Sequence, residues 1–120
     1  MKTKMENATQ IYEEVKELVH ELGVPVHIKG YEYLVTAITL AVENPNVLKS
    51  ITKELVPLVA EKHQIIEKRV ESEIRHAIQV AWDRGALNDY FGDAVKDKKP
   101  TNAKFITTVA NNVSLKYGAQ

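Results

Sequence analysis

The longest helical pattern in the sequence is EKRVESEIRHAIQVAWDR, residues 67–84. A rotation of about 100° per residue around the helix axis places the recurring apolar residues of this stretch on one side. They are Ile66, just before it, and Val70, Ile74, Ala77, Ile78 and Ala81. The opposite side carries polar side chains, most of them long hydrogen-bond donors, namely Lys68, Arg69, Ser72, Arg75, His76 and Gln79. The apolar side indicates that this helix packs against a hydrophobic core. The polar side is either an ordinary solvated surface or a surface that reads DNA bases.

The composition fits one ordinary globular domain. A chain of 120 residues with 44% hydrophobic and 27% charged content has the size and balance of a single domain. It has no cysteine, which excludes disulfides, thiol chemistry and a zinc ribbon. No apolar run approaches the roughly 18 residues of a membrane span, and the first ten residues lack the apolar segment of a signal peptide. We therefore expect a cytoplasmic protein without membrane contact.

The charge balance argues against strong, unspecific DNA binding. Sixteen basic residues are matched by sixteen acidic ones, whereas free-standing DNA-binding domains are often strongly basic. Residues 61–85 are themselves nearly balanced. Any DNA binding by this stretch should therefore be modest and strongly dependent on salt.

Helical periodicity covers almost the whole chain. Residues 1–8 are polar and resemble a tail or the remnant of a linker, which leaves residues 9–120 as the helical domain. The apolar spacing predicts helices at residues 9–22, 29–42, 51–62, 67–84 and 103–115, with a short one at 86–92. No stretch alternates in the manner of a strand. The sequence therefore predicts an all-α domain of five to six helices.

Two of these predicted helices form a helix-turn-helix pattern. The first, residues 51–62, follows a suitable N-cap, Ser50, and contains Pro57, so we expect a kink or a split there. Its inner face is predicted to carry Ile51, Leu55, Leu58 and Val59. A turn at residues 63–66 leads into the long helix. Short turns of this kind join the two helices of many DNA-binding motifs, although the glycine often found in them is missing.

Four long strings carry a family resemblance. They are VHELGVPVHIKGYEYLVTAI (residues 19–38), SITKELVPLVAEK (50–62), RVESEIRHAIQVAWDRG (69–85) and KPTNAKFITTVA (99–110). With these strings the chain resembles, from about residue 11 to 115, the C-terminal effector domain of stage-zero sporulation protein A, the response regulator that initiates sporulation.

This resemblance implies a six-helix fold that binds double-stranded DNA. Members of the family recognise TGTCGAA-like boxes near promoters, often as homodimers on tandem copies. They activate some genes and repress others, and they contact RNA polymerase through sigma factors. A receiver domain of a two-component system, phosphorylated by a partner, controls them. This chain shows no receiver-like α/β pattern, so we expect an excised effector domain rather than a short paralogue.

The resemblance also assigns roles to residues of the long helix. Arg69 and Glu71 match the base-reading positions of the family, and Ser72 occupies a third one, where the family usually has an arginine. Arg75 and His76 match positions at or near the DNA backbone. We expect these five residues to form the centre of the interface.

Two departures from the family predict changed DNA binding. Ser72 lacks a positive charge, and Glu73 adds a negative one where the family has a small residue, so we expect weaker phosphate attraction or a shifted box. Lys62, Lys68 and Gln79 are assigned to backbone or flanking contacts, and the two lysines should partly compensate. Residues 86–92 are shorter than the family's segment beside the sigma-factor surface, which makes that contact less secure.

Other kinds of site find little support in the sequence. The four histidines form no helical i, i+4 pair, and nucleotide-binding and nucleophile motifs are missing, so we expect no metal, no cofactor and no catalytic residue. A basic loop with Lys96, Lys98 and Lys99 is either solvated or a phosphate contact beside the groove. The alternative function is a helical protein-interaction module that dimerises or binds sigma factor and has lost DNA affinity.

Overall fold

Six α-helices joined by short turns make up the described part of the chain. The computed structural model describes residues 4–117, with side chains from residue 7 onward. No strand occurs within this range, which confirms the predicted all-α class. The helices are α1 (Lys4–Glu21), α2 (Lys29–Glu43), α3 (Val56–His63), α4 (Glu67–Asp83), α5 (Asn88–Phe91) and α6 (Asn102–Lys116). The connecting segments include 3₁₀ turns at Pro45–Lys49 and Gly92–Val95 and one π-helical turn at Ile51–Leu55. None of these helices is long and apolar enough to cross a membrane.

The strongest helical patterns begin and end close to their predicted residues, because clear capping signals bound them. α4 ends one residue before the predicted position, and Gly85 follows it with a φ of +75°. Glycine adopts this left-handed conformation without a steric penalty, so it ends the helix well. α6 begins after Thr101, whose hydroxyl accepts a hydrogen bond of 3.0 Å from the backbone N–H of Lys104.

The predicted start of the first helix was wrong. α1 begins at Lys4, five residues before the expected start at Thr9, so residues 4–8 are helical rather than an irregular tail. Lysine, methionine, glutamate and alanine are good helix formers, and a helix can continue for more than a turn beyond the apolar face that docks it. Residues 1–3 lie outside the described range, and a domain boundary near residue 8 stays a prediction.

The third predicted helix is split at its proline, as expected. Ser50 accepts a hydrogen bond of 3.4 Å from the Lys53 amide, and the π-helical turn that follows gives way to α3. Pro57 occupies the second position of α3, where its missing N–H costs little. The split also turns the helix, so the prediction that Leu58 faces inward was wrong: Leu58 is 40% exposed, and Val56 is buried in its place.

The core forms around α2, which packs against α1, α3, α4 and α6. Fully buried side chains come from each of these helices and from the segments between them, and the largest include Phe105, Leu34, Ile38, Leu55, Ile74 and Ile78. From α4 the buried residues are Val70, Ile74, Ala77, Ile78 and Ala81, as predicted. The inward position predicted for Ile66 was wrong, because this side chain is 66% exposed. α4 is therefore anchored by its apolar face and presents its polar face outward.

The segment after α4 is less helical than predicted. The short helix expected at residues 86–92 is reduced to α5, and Leu87, just before it, is fully buried. The indole N–H of Trp82 donates a hydrogen bond of 2.9 Å to the Val95 carbonyl of the following 3₁₀ turn. Trp82 thus joins this segment to α4.

Candidate DNA-binding surface

α3 and α4 are joined by a tight three-residue turn. The first residue of the turn, Gln64, has the left-handed backbone conformation, with φ 55° and ψ 48°. The amide of Ile65 donates a hydrogen bond of 3.0 Å back to the Ala60 carbonyl, which closes the C-terminus of α3. Gln64 therefore adopts the conformation that a glycine provides in other turns of this kind, so the missing glycine does not prevent a helix-turn-helix.

The end of α3 is attached to α2 through one histidine. His63 Nε2 and Thr36 Oγ1 form a hydrogen bond of 2.8 Å. The Tyr33 ring meets the imidazole edge to face, with 4.9 Å between the ring centroids. Thr36 and Tyr33 are both buried. These contacts fix the turn, and with it the start of α4, relative to the centre of the domain.

A close approach of two backbones sets the position of α4. A Cβ atom added to Gly30, in the first turn of α2, would lie 2.2 Å from the Glu73 carbonyl oxygen and 2.7 Å from the Ala77 Cβ atom. No other residue type fits at Gly30 without moving one of the helices. The glycine in the string HIKGYEYL is therefore a packing requirement of α4, and the sequence pattern alone did not reveal it.

The polar face of α4 gathers seven of the eight residues that were predicted to contact DNA. Helical geometry places Ser72 at the centre of the exposed arc, and Arg69 and Glu71 on opposite flanks, about 160° apart. The exposed members of this set are Lys68, Arg69, Ser72, Arg75 and His76, while Glu71 and Gln79 are half-buried. This surface, residues 68–79 on the polar side of α4, is called the reading face below.

Lys62 is not part of this arrangement. It lies near the end of α3 and lines a cleft of about 190 Å³ with residues of α1 and α2, among them Tyr12, Thr39 and Glu43. Lys62 therefore borders the α1–α2 side of the domain.

Intramolecular contacts occupy two of the side chains that were predicted to read bases. Arg69 Nη2 lies 3.3 Å from Glu73 Oε2, one helical turn further along, and the arginine side chain remains 62% exposed. Ser72 donates a hydrogen bond of 3.3 Å to the Arg69 carbonyl. An exposed ion pair such as Arg69–Glu73 contributes little to stability, so DNA can compete with Glu73 for the arginine side chain. Glu73, one of the two residues expected to depart from the family pattern, is thus the one that pairs with the predicted base-reading arginine.

The basic loop before α6 packs against the reading face. Lys99 Nζ donates a hydrogen bond of 2.8 Å to Gln79 Oε1, and Gln79 Nε2 donates one of the same length to Asp83 Oδ1. Asn102 Nδ2 donates one of 3.0 Å to the Glu71 carbonyl. Helical periodicity did not predict these links between the KPTN string and α4.

An open groove runs between this loop and α4. Its volume is about 460 Å³, and it is lined by Glu71, Arg75, Lys98, Lys99, Pro100, Thr101, Asn102 and Ala103. The charged residues of this lining are the cations Arg75, Lys98 and Lys99 and the acidic residue Glu71. Along α4 itself the charges are mixed, with three basic and four acidic residues between Glu67 and Asp83.

Within the described residues no cluster of histidine and acidic side chains could hold a metal ion.

A comparison with family models identifies the chain. The model described as "Sporulation initiation factor Spo0A C terminal" matches residues 15–113. The chain belongs to this family. The matched range contains the helix-turn-helix of α3 and α4 and nearly all of α6, and it confirms the resemblance seen in the sequence. The Spo0A C-terminal family consists of DNA-binding transcription factor domains that act in sporulation initiation, and it is not a family of enzymes.

Proposed function

We propose that this Spo0A C-terminal domain is a sequence-specific regulator of transcription that inserts α4 into the major groove of TGTCGAA-like boxes. The observation that carries the proposal is the reading face: an exposed polar helix surface, fixed by a helix-turn-helix, in a family that binds DNA. In helix-turn-helix proteins the second helix contacts base edges with its N-terminal part. In α4 that part contains Arg69, Glu71 and Ser72.

Each of these three side chains suits a particular base. Arg69 can bond guanine O6 and N7 with two N–H groups, Glu71 can accept from cytosine N4, and Ser72 can bond either kind of base. Because Arg69 and Glu71 lie on opposite flanks of α4, they would contact different strands or different base pairs. Ser72, between them, faces the floor of the groove and replaces a longer, charged side chain of the family.

The remaining polar residues would position the helix on the backbone. Lys68, Arg75, His76 and Gln79 border the base-reading residues and are exposed or half-buried. Contacts of this kind fix orientation but do not read sequence. Lys62 would contribute only through the general electrostatic field, because it lies on the α1–α2 side of α3. The same proposal includes dimers on tandem boxes, activation or repression of genes, a sigma-factor contact near α5 and control by a receiver domain. It also places the protein in the cytoplasm.

One observation favours a second function. The charge balance of α4 and the Arg69–Glu73 pair both reduce attraction to phosphate. A domain altered in this way could serve as a protein-interaction module that dimerises or binds sigma factor. The two functions differ in whether the domain distinguishes one DNA sequence from another.

The test is a fluorescence-anisotropy titration of a duplex with two tandem TGTCGAA-like boxes and of a scrambled duplex. Wild-type protein should prefer the boxes, and Arg69→Ala should cost roughly 1–3 kcal/mol on the boxes alone. Lys68→Ala should weaken both duplexes alike and lower the salt slope by about one. Lys16→Ala, which removes a cation from α1, is the matched control and should change neither. Equal binding of wild-type protein to both duplexes would instead support the interaction module.

A further inference from the structure

Ile66 is an apolar residue at a position where helices prefer a polar one. It is the N-cap of α4, with φ −78° and ψ 153°, and no side chain caps the first amides of the helix. Serine, threonine, aspartate and asparagine are preferred here because their oxygens accept a hydrogen bond from the helix N-terminus. The side chain of Ile66 is 66% exposed, whereas Ile65, its neighbour, is packed against the core. Ile66 therefore serves neither the cap nor the core.

The position of Ile66 relative to Arg69 indicates what it faces. The two residues are three apart, so they lie one turn from each other on the same flank of α4. They are separated by about 4.5 Å along the helix axis, a little more than the 3.4 Å between successive base pairs. If Arg69 reads a base in the major groove, Ile66 points to a neighbouring base pair at the tip of the helix.

Major-groove chemistry offers one partner for such a side chain. The only apolar group on a base edge in that groove is the C5-methyl group of thymine. The other exposed large hydrophobic residues of the described range, Tyr12, Val26, Leu58 and Leu115, belong to other segments of the chain. Ile66 is thus the apolar side chain that the start of α4 presents.

The surroundings of Ile66 disfavour a phosphate contact. The shallow depression beside it is lined by Pro57, Ala60, Gln64 and Ile65 together with the carboxylates of Glu61 and Glu67. Two carboxylates would repel the DNA backbone, so a docked α4 should place this flank over the base edges rather than against a phosphate.

We propose that Ile66 is a further specificity-determining residue, which contacts the methyl group of a thymine next to the base pair read by Arg69. This inference rests on the proposed function, because it requires α4 to lie in the major groove. It adds a preference for thymine that the charged and hydroxyl-bearing side chains of the reading face do not provide.

The experiment removes the thymine methyl group from the DNA and, separately, shortens the Ile66 side chain of the protein. Box duplexes are made with each thymine replaced in turn by deoxyuridine, which lacks only the C5-methyl group, and are titrated with wild-type protein, Ile66→Ala and Ile66→Val. At one position the replacement should weaken wild-type binding about fourfold, the equivalent of one buried methyl group. Ile66→Ala should bind the thymine and uracil duplexes equally, while Ile66→Val should keep most of the difference.

Leu58→Ala is the matched control, since it removes an exposed aliphatic side chain from α3. It should retain the full sensitivity to uracil, and circular dichroism should show that all variants keep the helical content of the wild type. Uracil replacements without effect on the wild-type protein at every position would overturn the role of Ile66. So would an equal loss in wild type and Ile66→Ala. In both cases a wild-type preference for the boxes over scrambled DNA would leave the proposed function standing, and its loss would remove both.

Discussion

Gly30 is the residue on which the position of α4 depends most directly. A Cβ atom there would meet the Glu73 carbonyl oxygen at 2.2 Å, and a backbone oxygen cannot rotate away as a side chain can. We expect Gly30→Ala to lower the free energy of unfolding by about 1–3 kcal/mol, the usual cost of overpacking. Urea denaturation measures this loss. Lys29→Ala, an exposed neighbour in the same turn, should change stability by less than about 0.5 kcal/mol. A Gly30→Ala protein as stable as the Lys29→Ala protein would show that the two helices can separate freely.

Glu73 limits the availability of Arg69 for DNA. Its carboxylate lies 3.3 Å from the guanidinium group, on the helix that would have to approach phosphates. We expect Glu73→Ala to increase affinity for box DNA severalfold, because it removes a negative charge and frees Arg69. Stability should change by only about 0.3–0.5 kcal/mol, as for other exposed helix pairs. Anisotropy titration and thermal unfolding measure the two effects.

Glu67→Ala is the control for charge alone. It removes a carboxylate from the same helix, and that carboxylate is not paired with Arg69 in the structure. Glu73→Ala should therefore gain more affinity than Glu67→Ala, and most of the extra gain should appear on the box. Equal gains on box and scrambled DNA from both variants would mean that the Arg69–Glu73 pair does not restrain base reading.

At the scale of elements, periodicity and capping residues were enough to predict α2, α4 and α6. Each has a continuous apolar stripe and a clear stop or start, such as Pro45 after α2 or Thr101 before α6, and these local signals agree with the packing. The prediction failed where the chain departs from one regular helix. The π-helical turn before Pro57 rotates the apolar stripe of the third helix, which exposes Leu58.

The reading face could be assigned from sequence only as a set of positions on one helix. Its residues share a side of α4 because of simple helical spacing. Their environment depends on partners distant in sequence, such as Asn102 beneath Glu71 and Lys99 on Gln79. The exposure of Ile66 could not be predicted either, because the core meets α4 only from Val70 onward.

The attachment of the helix-turn-helix to α2 depends on the Thr36–His63 hydrogen bond. Thr36→Val keeps the shape of the side chain but leaves the half-buried imidazole without its partner. We expect a loss of about 1–3 kcal/mol in unfolding free energy, and faster amide exchange in the turn at residues 64–66. Thermal unfolding and hydrogen exchange measure these changes.

Thr39→Val provides a matched control on the same helix. Among the described residues the buried Thr39 hydroxyl has no hydrogen-bond partner, so its replacement by a methyl group should be neutral or stabilising. If both threonine variants have the same stability and the same exchange in the turn, the hydrogen bond to His63 does not hold the turn in place.

At the scale of the whole molecule, charge balance separates recognition from general attraction. Sixteen basic and sixteen acidic residues leave no net charge to draw the domain to DNA. Affinity must then come from local contacts along α4 and the groove beside it, which Arg75 and Lys98 help to line. Phosphate contacts still make this affinity dependent on salt, since each contact adds about 0.9 to the slope. A domain of this kind depends on direct base contacts more than a strongly basic one does.

The most direct test of base reading by α4 removes the guanine N7 acceptor from the box. In a series of duplexes, one guanine at a time is replaced by 7-deazaguanine. Each such duplex keeps Watson–Crick pairing and loses one major-groove acceptor. We predict that wild-type protein binds one of these duplexes more weakly by roughly 1–3 kcal/mol, and that Arg69→Ala binds it as well as it binds the unmodified box. Wild-type affinity that is unchanged by every replacement, or a loss that persists in Arg69→Ala, would contradict the placement of Arg69 in the major groove.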